Sequence, residues 1–126
     1  MRKVLAGKAA PNVAGWADSV EADELYLSVI TVQELEIGVL LVERNDLAQG
    51  AMMRSWLNVH VLPAFAGRIL PVDTQVALRS ARLHIPDPHP VRDALIAATA
   101  LVHGMTVVTR NVEDFARSGA KVLNPW

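Results

Sequence analysis

The stretch Val91-Arg92-Asp93-Ala94-Leu95-Ile96-Ala97-Ala98-Thr99-Ala100-Leu101-Val102-His103-Gly104-Met105-Thr106-Val107-Val108-Thr109 decides the fold. From Val91 to His103 it is dominated by Ala and Leu, which favour a helix, and Gly104 supplies the stop. Met105 to Thr109 then turns apolar and β-branched, the composition of a buried strand. Immediately upstream, Ile85-Pro86-Asp87-Pro88-His89-Pro90 cannot be helical, because its prolines remove donors and restrict their neighbours. It is a loop that delivers the chain to the helix.

Working outward, the same alternation recurs. Leu25 to Ile30 reads as a strand running into Thr31, which can cap a helix from Val32 to about Glu43 with Leu35, Val39 and Val42 on one face. A helix over Asp46 to Val61, a short strand over Arg68 to Val72 and a helix from the cap Asp73 to about His84 complete the middle. Pro11 opens a short helix through Trp16 to about Val20, Val112 to Ala116 forms a helical turn after Asn111, and Lys121 to Leu123 is a closing strand. Strands alternating with helices predict an α/β fold, a central, largely parallel sheet flanked by helices. No repeat or linker interrupts it, so residues 1–126 read as a single domain.

The composition agrees with one core: 126 residues, 52% of them hydrophobic and 20% charged. Twelve Lys and Arg against thirteen Asp and Glu exclude a purely electrostatic nucleic-acid binder. The balance is uneven, however, with seven acids and no base in residues 9 to 43. Cysteine is absent, so disulfide scaffolds, thiolate metal sites and thiol nucleophiles are excluded and any metal must be held by O or N. The longest nearly apolar run, Ala94 to Val102, falls well short of the ~20 residues of a membrane span. Lys8, Pro11 and Asn12 break the only candidate signal segment, and a soluble, cytoplasmic protein is expected.

Several chemistries lack their motifs. His60, His84, His89 and His103 show no metal spacing, and no phosphate-binding glycine loop, dinucleotide fingerprint or esterase elbow occurs. Trp16, Trp56 and Tyr26 are too scattered for a base-stacking platform.

Three carboxylates remain. In this reading Glu34, Asp93 and Asp114 each fall in the first turn of a helix, where an acid satisfies the helix dipole or, for Thr31 to Glu34, a capping box. Helices antiparallel to the strands bring their N-termini to the carboxyl edge of a parallel sheet, which is also where ligands bind. Converging carboxylates repel unless a cation such as Mg²⁺ or Mn²⁺ neutralises them. Asp93 heads the stripe Ile96, Ala97, Ala100 and Leu101, so a partly buried role is expected for it.

These residues resemble a PIN-domain endoribonuclease, the toxin of a type II toxin-antitoxin pair of the VapC and FitB-like kind. The resemblance covers nearly the whole chain. It is carried by Tyr26-Leu27-Ser28-Val29-Ile30-Thr31 with Glu34, Leu35 and Gly38, by Phe65-Ala66-Gly67-Arg68-Ile69-Leu70-Pro71, by Asp93 to Ala100, by Thr109-Arg110-Asn111 with Asp114-Phe115, and by Asn124-Pro125-Trp126. It implies a three-layer PIN-like domain that cleaves RNA with Mg²⁺ or Mn²⁺ held by an acidic cluster. Glu34 and Asp93 match two family acids; Asn111 stands where a further acid often lies, Asp114 is one turn beyond, and either could serve. The resemblance also implies a cognate antitoxin and a homodimer.

One departure accompanies it. The family opens with a buried strand ending in Asp-Thr-Asn, whose Asp is a principal metal ligand, whereas this chain starts at what resembles the residues just after it, Arg2-Lys3-Val4. The expectation is therefore a PIN-like domain lacking its first strand, truncated relative to the family. Two functions follow: a metal-dependent endoribonuclease using Glu34, Asp93 and Asn111 or Asp114, with Arg68, Arg92 and Arg110 near the RNA, or a degenerate module that only binds its antitoxin. Leu40, Leu41, Met52, Met53, Trp56 and Leu57 exceed the needs of one core stripe and are candidates for a partner groove.

Overall fold

The computed structural model describes residues 4–6, 24–109 and 112–124. The chain alternates as β1 (Val4–Ala6), β2 (Leu25–Ser28), α1 (Val29–Asn45), α2 (Leu47–Ser55), β3 (Ile69–Leu70), α3 (Thr74–Arg82), α4 (Val91–His103), β4 (Thr106–Val108), α5 (Val112–Phe115) and β5 (Val122–Leu123). All four strand pairings are parallel, in the order β3-β2-β1-β4-β5. The α/β reading with a parallel sheet holds. The expected helix over Pro11 to Val20 lies outside the described residues.

The expected loss of the innermost strand is corrected. Val4–Ala6 fills that place, pairing Leu5 with Tyr26 on one side and with Val107 on the other. Leu5 is fully buried among Ile96, Ala97, Ala100, Met105, Val107 and Phe115, which form the core on one face of the sheet. Leu25, Leu27 and Val108 supply the other face, against Val32, Val61, Phe65, Ile69 and Leu123. An apolar tripeptide suffices here because both flanking strands offer parallel ladders and the helical layers cover both faces. No acid accompanies it, since Met1 to Ala10 contains none.

The second correction concerns where α1 starts. The strand stops at Ser28, not Ile30, and Ser28 is the cap: its Oγ accepts the Ile30 N–H at 3.0 Å. Val29 and Ile30 read as strand by propensity, yet the helix claims them because a capping hydroxyl already stands at Ser28. Thr31 is consequently a buried residue inside the helix. The Asp73 cap is as expected, accepting from Val76 N–H at 2.9 Å, whereas Asp46, read as helical, is itself the cap of α2 and accepts from Gln49 N–H at 3.0 Å.

Past α2 the helix widens into a π-helical turn, Trp56–Val61, and closes with Leu62–Ala64. Leu62 N–H reaches back five residues to Leu57 O. The widening comes just before Pro63, which has no N–H and whose ring would crowd the carbonyl four residues back. At the other end of the chain, α4 spans Val91–His103 as read, and Gly104 stops it with φ 66°.

Candidate active site

β2 and β4 lie on either side of β1, so their carboxyl ends face each other across one strand, roughly 9.5 Å apart by sheet spacing. A crevice beyond the carboxyl end of a strand whose neighbours lead in opposite directions is the ligand position of open parallel sheets. Ser28 ends β2 and hands the chain to α1, which carries Glu34. Thr109 follows β4, and α5 follows in turn with Asp114. Because α4 runs back antiparallel to β4, its first turn, with Asp93, comes to this same edge. α1 and α4 pack against each other.

Burial sorts the three acids. Asp93 is 5% exposed in the first turn of α4, above Ile96, Ala97 and Ala100, all buried. A charged carboxylate is seldom so enclosed without a partner or a purpose. Glu34 is half-buried, with Oε1 removed from solvent. With α1 starting at Val29, however, Glu34 stands in its second turn, so the expected capping box with Thr31 is not formed. Asp114 keeps its place in the first turn of α5 but is exposed. Asn111 and Arg110 lie outside the described residues. Ser28, Thr31 and Thr109 bring buried hydroxyls to the same edge, each at most 1% exposed.

The donor set is entirely oxygen, which suits a hard divalent cation. Mg²⁺ retains several waters and is often held by only one or two carboxylates. Glu34 and Asp93 fit that partial role. They do not form a closed cage: among the described residues no three Asp, Glu or His side chains gather as a metal-holding group.

Arg68 stands just before β3. Its Nε donates to Leu25 O at 3.0 Å and its Nη2 to Ala64 O at 2.7 Å, with the guanidinium 5.4 Å from the Phe65 ring centroid. It ties the start of β2, at the amino edge, to the end of the helical segment Leu62–Ala64 that precedes β3. Arg92 is exposed in the first turn of α4. Of the proposed groove residues, Leu40, Leu41, Met52 and Trp56 are exposed, Met53 is half-buried, and Leu57 belongs to the core at 1% exposure.

Comparison with known proteins matches this architecture. The PIN domain family profile matches residues 5–121. The chain belongs to the PIN domain family. It is 40% identical to Toxin FitB of Neisseria gonorrhoeae over 124 residues, covering 92% of this chain and 87% of that protein. The VapC ribonuclease Y4jK of Sinorhizobium fredii is 36% identical, covering 94% and 89% of the two chains. The crystal structure of FitAcB from Neisseria gonorrhoeae superposes with a TM-score of 0.86 at 33% identity, over 98% of each chain. Among the described residues no helix is long and apolar enough to cross a membrane.

Proposed function

We propose that this chain is the toxin of a bacterial toxin-antitoxin pair and hydrolyses RNA phosphodiester bonds as a Mg²⁺- or Mn²⁺-dependent endoribonuclease in the cytoplasm. The observation that carries this reading is Asp93: an acid 5% exposed, in the first turn of a helix, at the ligand edge of a parallel sheet. Asp93 and Glu34 would hold the cation, with Asp114 or Asn111 as a further polar group. The bound cation supplies charge stabilisation and water activation at phosphorus. The chain's own contribution is to fix the carboxylates on rigid helices, beside the buried hydroxyls of Ser28 and Thr109, so that little reorganisation accompanies reaction. The exposed Leu40, Leu41, Met52 and Trp56 on α1 and its successor suit an apolar partner face, which we assign to a cognate antitoxin or to a second copy in a homodimer.

A second reading rests on the same apolar face. The exposed Leu40, Leu41, Met52 and Trp56 would equally serve a degenerate module that binds its antitoxin without cutting RNA. The deciding experiment incubates labelled RNA with the full chain and its Asp93→Asn variant, in Mn²⁺, Mg²⁺ or chelator. Metal-dependent cutting lost in the variant supports the enzyme. A folded chain that never cuts, yet binds antitoxin, supports the module.

A further inference from the structure

The loop leading into α4 is short of donors. Prolines occupy positions 86, 88 and 90, so between residues 85 and 90 only Ile85, Asp87 and His89 carry a backbone N–H. Ile85 N–H closes a turn on Arg82 O at 3.3 Å. His89 N–H reaches back across the loop to Nδ1 of His84 at 3.2 Å. The two half-buried imidazoles meet edge to face, with centroids 6.4 Å apart and planes at 73°. His84 is anchored just beyond α3, its own N–H on Ala81 O at 3.2 Å.

The far side of this bond bears on the site. Pro90 stands at the cap position of α4 and offers no side-chain hydrogen bond. A capping side chain ordinarily ties the first free N–H groups and thereby fixes where a helix begins. Here that restraint falls to the loop, and the His84–His89 bond closes it one residue before Pro90. Asp93 lies one helical turn beyond His89.

A ring nitrogen that accepts carries no proton, so this geometry requires neutral His84 with its hydrogen on Nε2. A proton on Nδ1 would turn the acceptor into a donor aimed at another donor. We propose that His84 is a positioning residue: by accepting the His89 N–H at Nδ1 it sets the start of α4 and the placement of Asp93. The catalytic consequence rests on Asp93 being the site acid, as proposed above.

The test uses the full chain labelled with ¹⁵N, alongside His84→Asn, whose amide oxygen replaces Nδ1 as a non-titrating acceptor, and His84→Leu, which has none. Imidazole ¹⁵N shifts report the His84 tautomer. The expected result is an Nε2–H tautomer, with the His89 amide exchanging roughly threefold to tenfold faster in His84→Leu, the factor of one hydrogen bond. The Arg92 and Asp93 amide shifts move in His84→Leu and return to their wild-type positions in His84→Asn. Metal-dependent RNA cleavage falls in His84→Leu and is restored in His84→Asn. An Nδ1–H tautomer, an unchanged His89 exchange rate in His84→Leu, or α4 amides indifferent to His84 overturns the proposal. If no variant, wild type included, cuts RNA, the endoribonuclease reading fails, while the amide measurements still decide the role of His84.

Discussion

Arg54 on α2 grips Glu36 on α1 with both ends of its guanidinium, Nη1 on one carboxylate oxygen at 2.5 Å and Nη2 on the other at 2.9 Å. The same arginine reaches Glu43 through Nε at 3.2 Å and Nη2 at 2.9 Å. The two helices are therefore joined by one cation between two anions, a geometry matched to a planar fork and poorly served by lysine.

Hydrogen bonding to Arg54 is the main reason both carboxyls are held below their ordinary value of 4.5; it outweighs the cost of desolvation, and charge attraction to Arg54 adds a lesser part. Groups that bind protons more weakly when folded stabilise the protein above their unfolded value and lose that contribution as pH falls through the folded one. Acid denaturation below about pH 4.5 should thus be steeper in the wild type than in Arg54→Leu. Added salt should narrow the difference, because all three side chains remain partly exposed. Equal acid slopes in thermal melts from pH 3 to 6 would show that the network contributes nothing.

Gly50 permits the close approach that this clamp needs. A Cβ there would lie 2.5 Å from Cα of Glu43 and 3.0 Å from its N, both backbone atoms. Gly50→Ala should force α1 and α2 apart and cost about 1–3 kcal/mol in urea unfolding. Gly38, in mid-helix with open space around it, is the control: Gly38→Ala should add about 0.5–1 kcal/mol. Opposite signs are the expected outcome.

Leu5 tests the innermost strand. Fully buried between two ladders and against Ile96 and Phe115, it should cost about 2–5 kcal/mol when cut to Ala. A loss below about 1 kcal/mol would mean that the central place belongs to something other than Val4–Ala6.

Asp93 and Asp114 should separate by burial. Asp93→Asn is expected to abolish metal-dependent RNA cleavage, whereas the exposed Asp114→Asn should lower it roughly 10- to 100-fold, as for an outer partner of a metal site. Comparable losses from both would place Asp114 in direct contact with the cation.

What could be read from the residues alone divides along physical lines. Helix α4, its glycine stop and the strand after it were legible because composition, length and punctuation all agreed there. The burial of Asp93 followed from helical phase. Ser28 was passed over for Thr31 because two hydroxyls bracket Val29 and Ile30, and the branched pair reads as strand until tertiary packing decides. Val4–Ala6 is too short to show any period. Arg68 and Arg54 find partners up to 43 residues away in sequence, and local pattern carries no signal of that.

The middle strand has a consequence for how the molecule comes into being. Val4 pairs with Thr106, so roughly a hundred residues must be made before the two halves of the sheet can join. Synthesis proceeds from the amino end, so Asp93 and the strand that follows its helix are made long after β1 and β2. A nascent chain therefore cannot assemble this edge until β4 has been made, and β1 waits with one of its two flanks open until then.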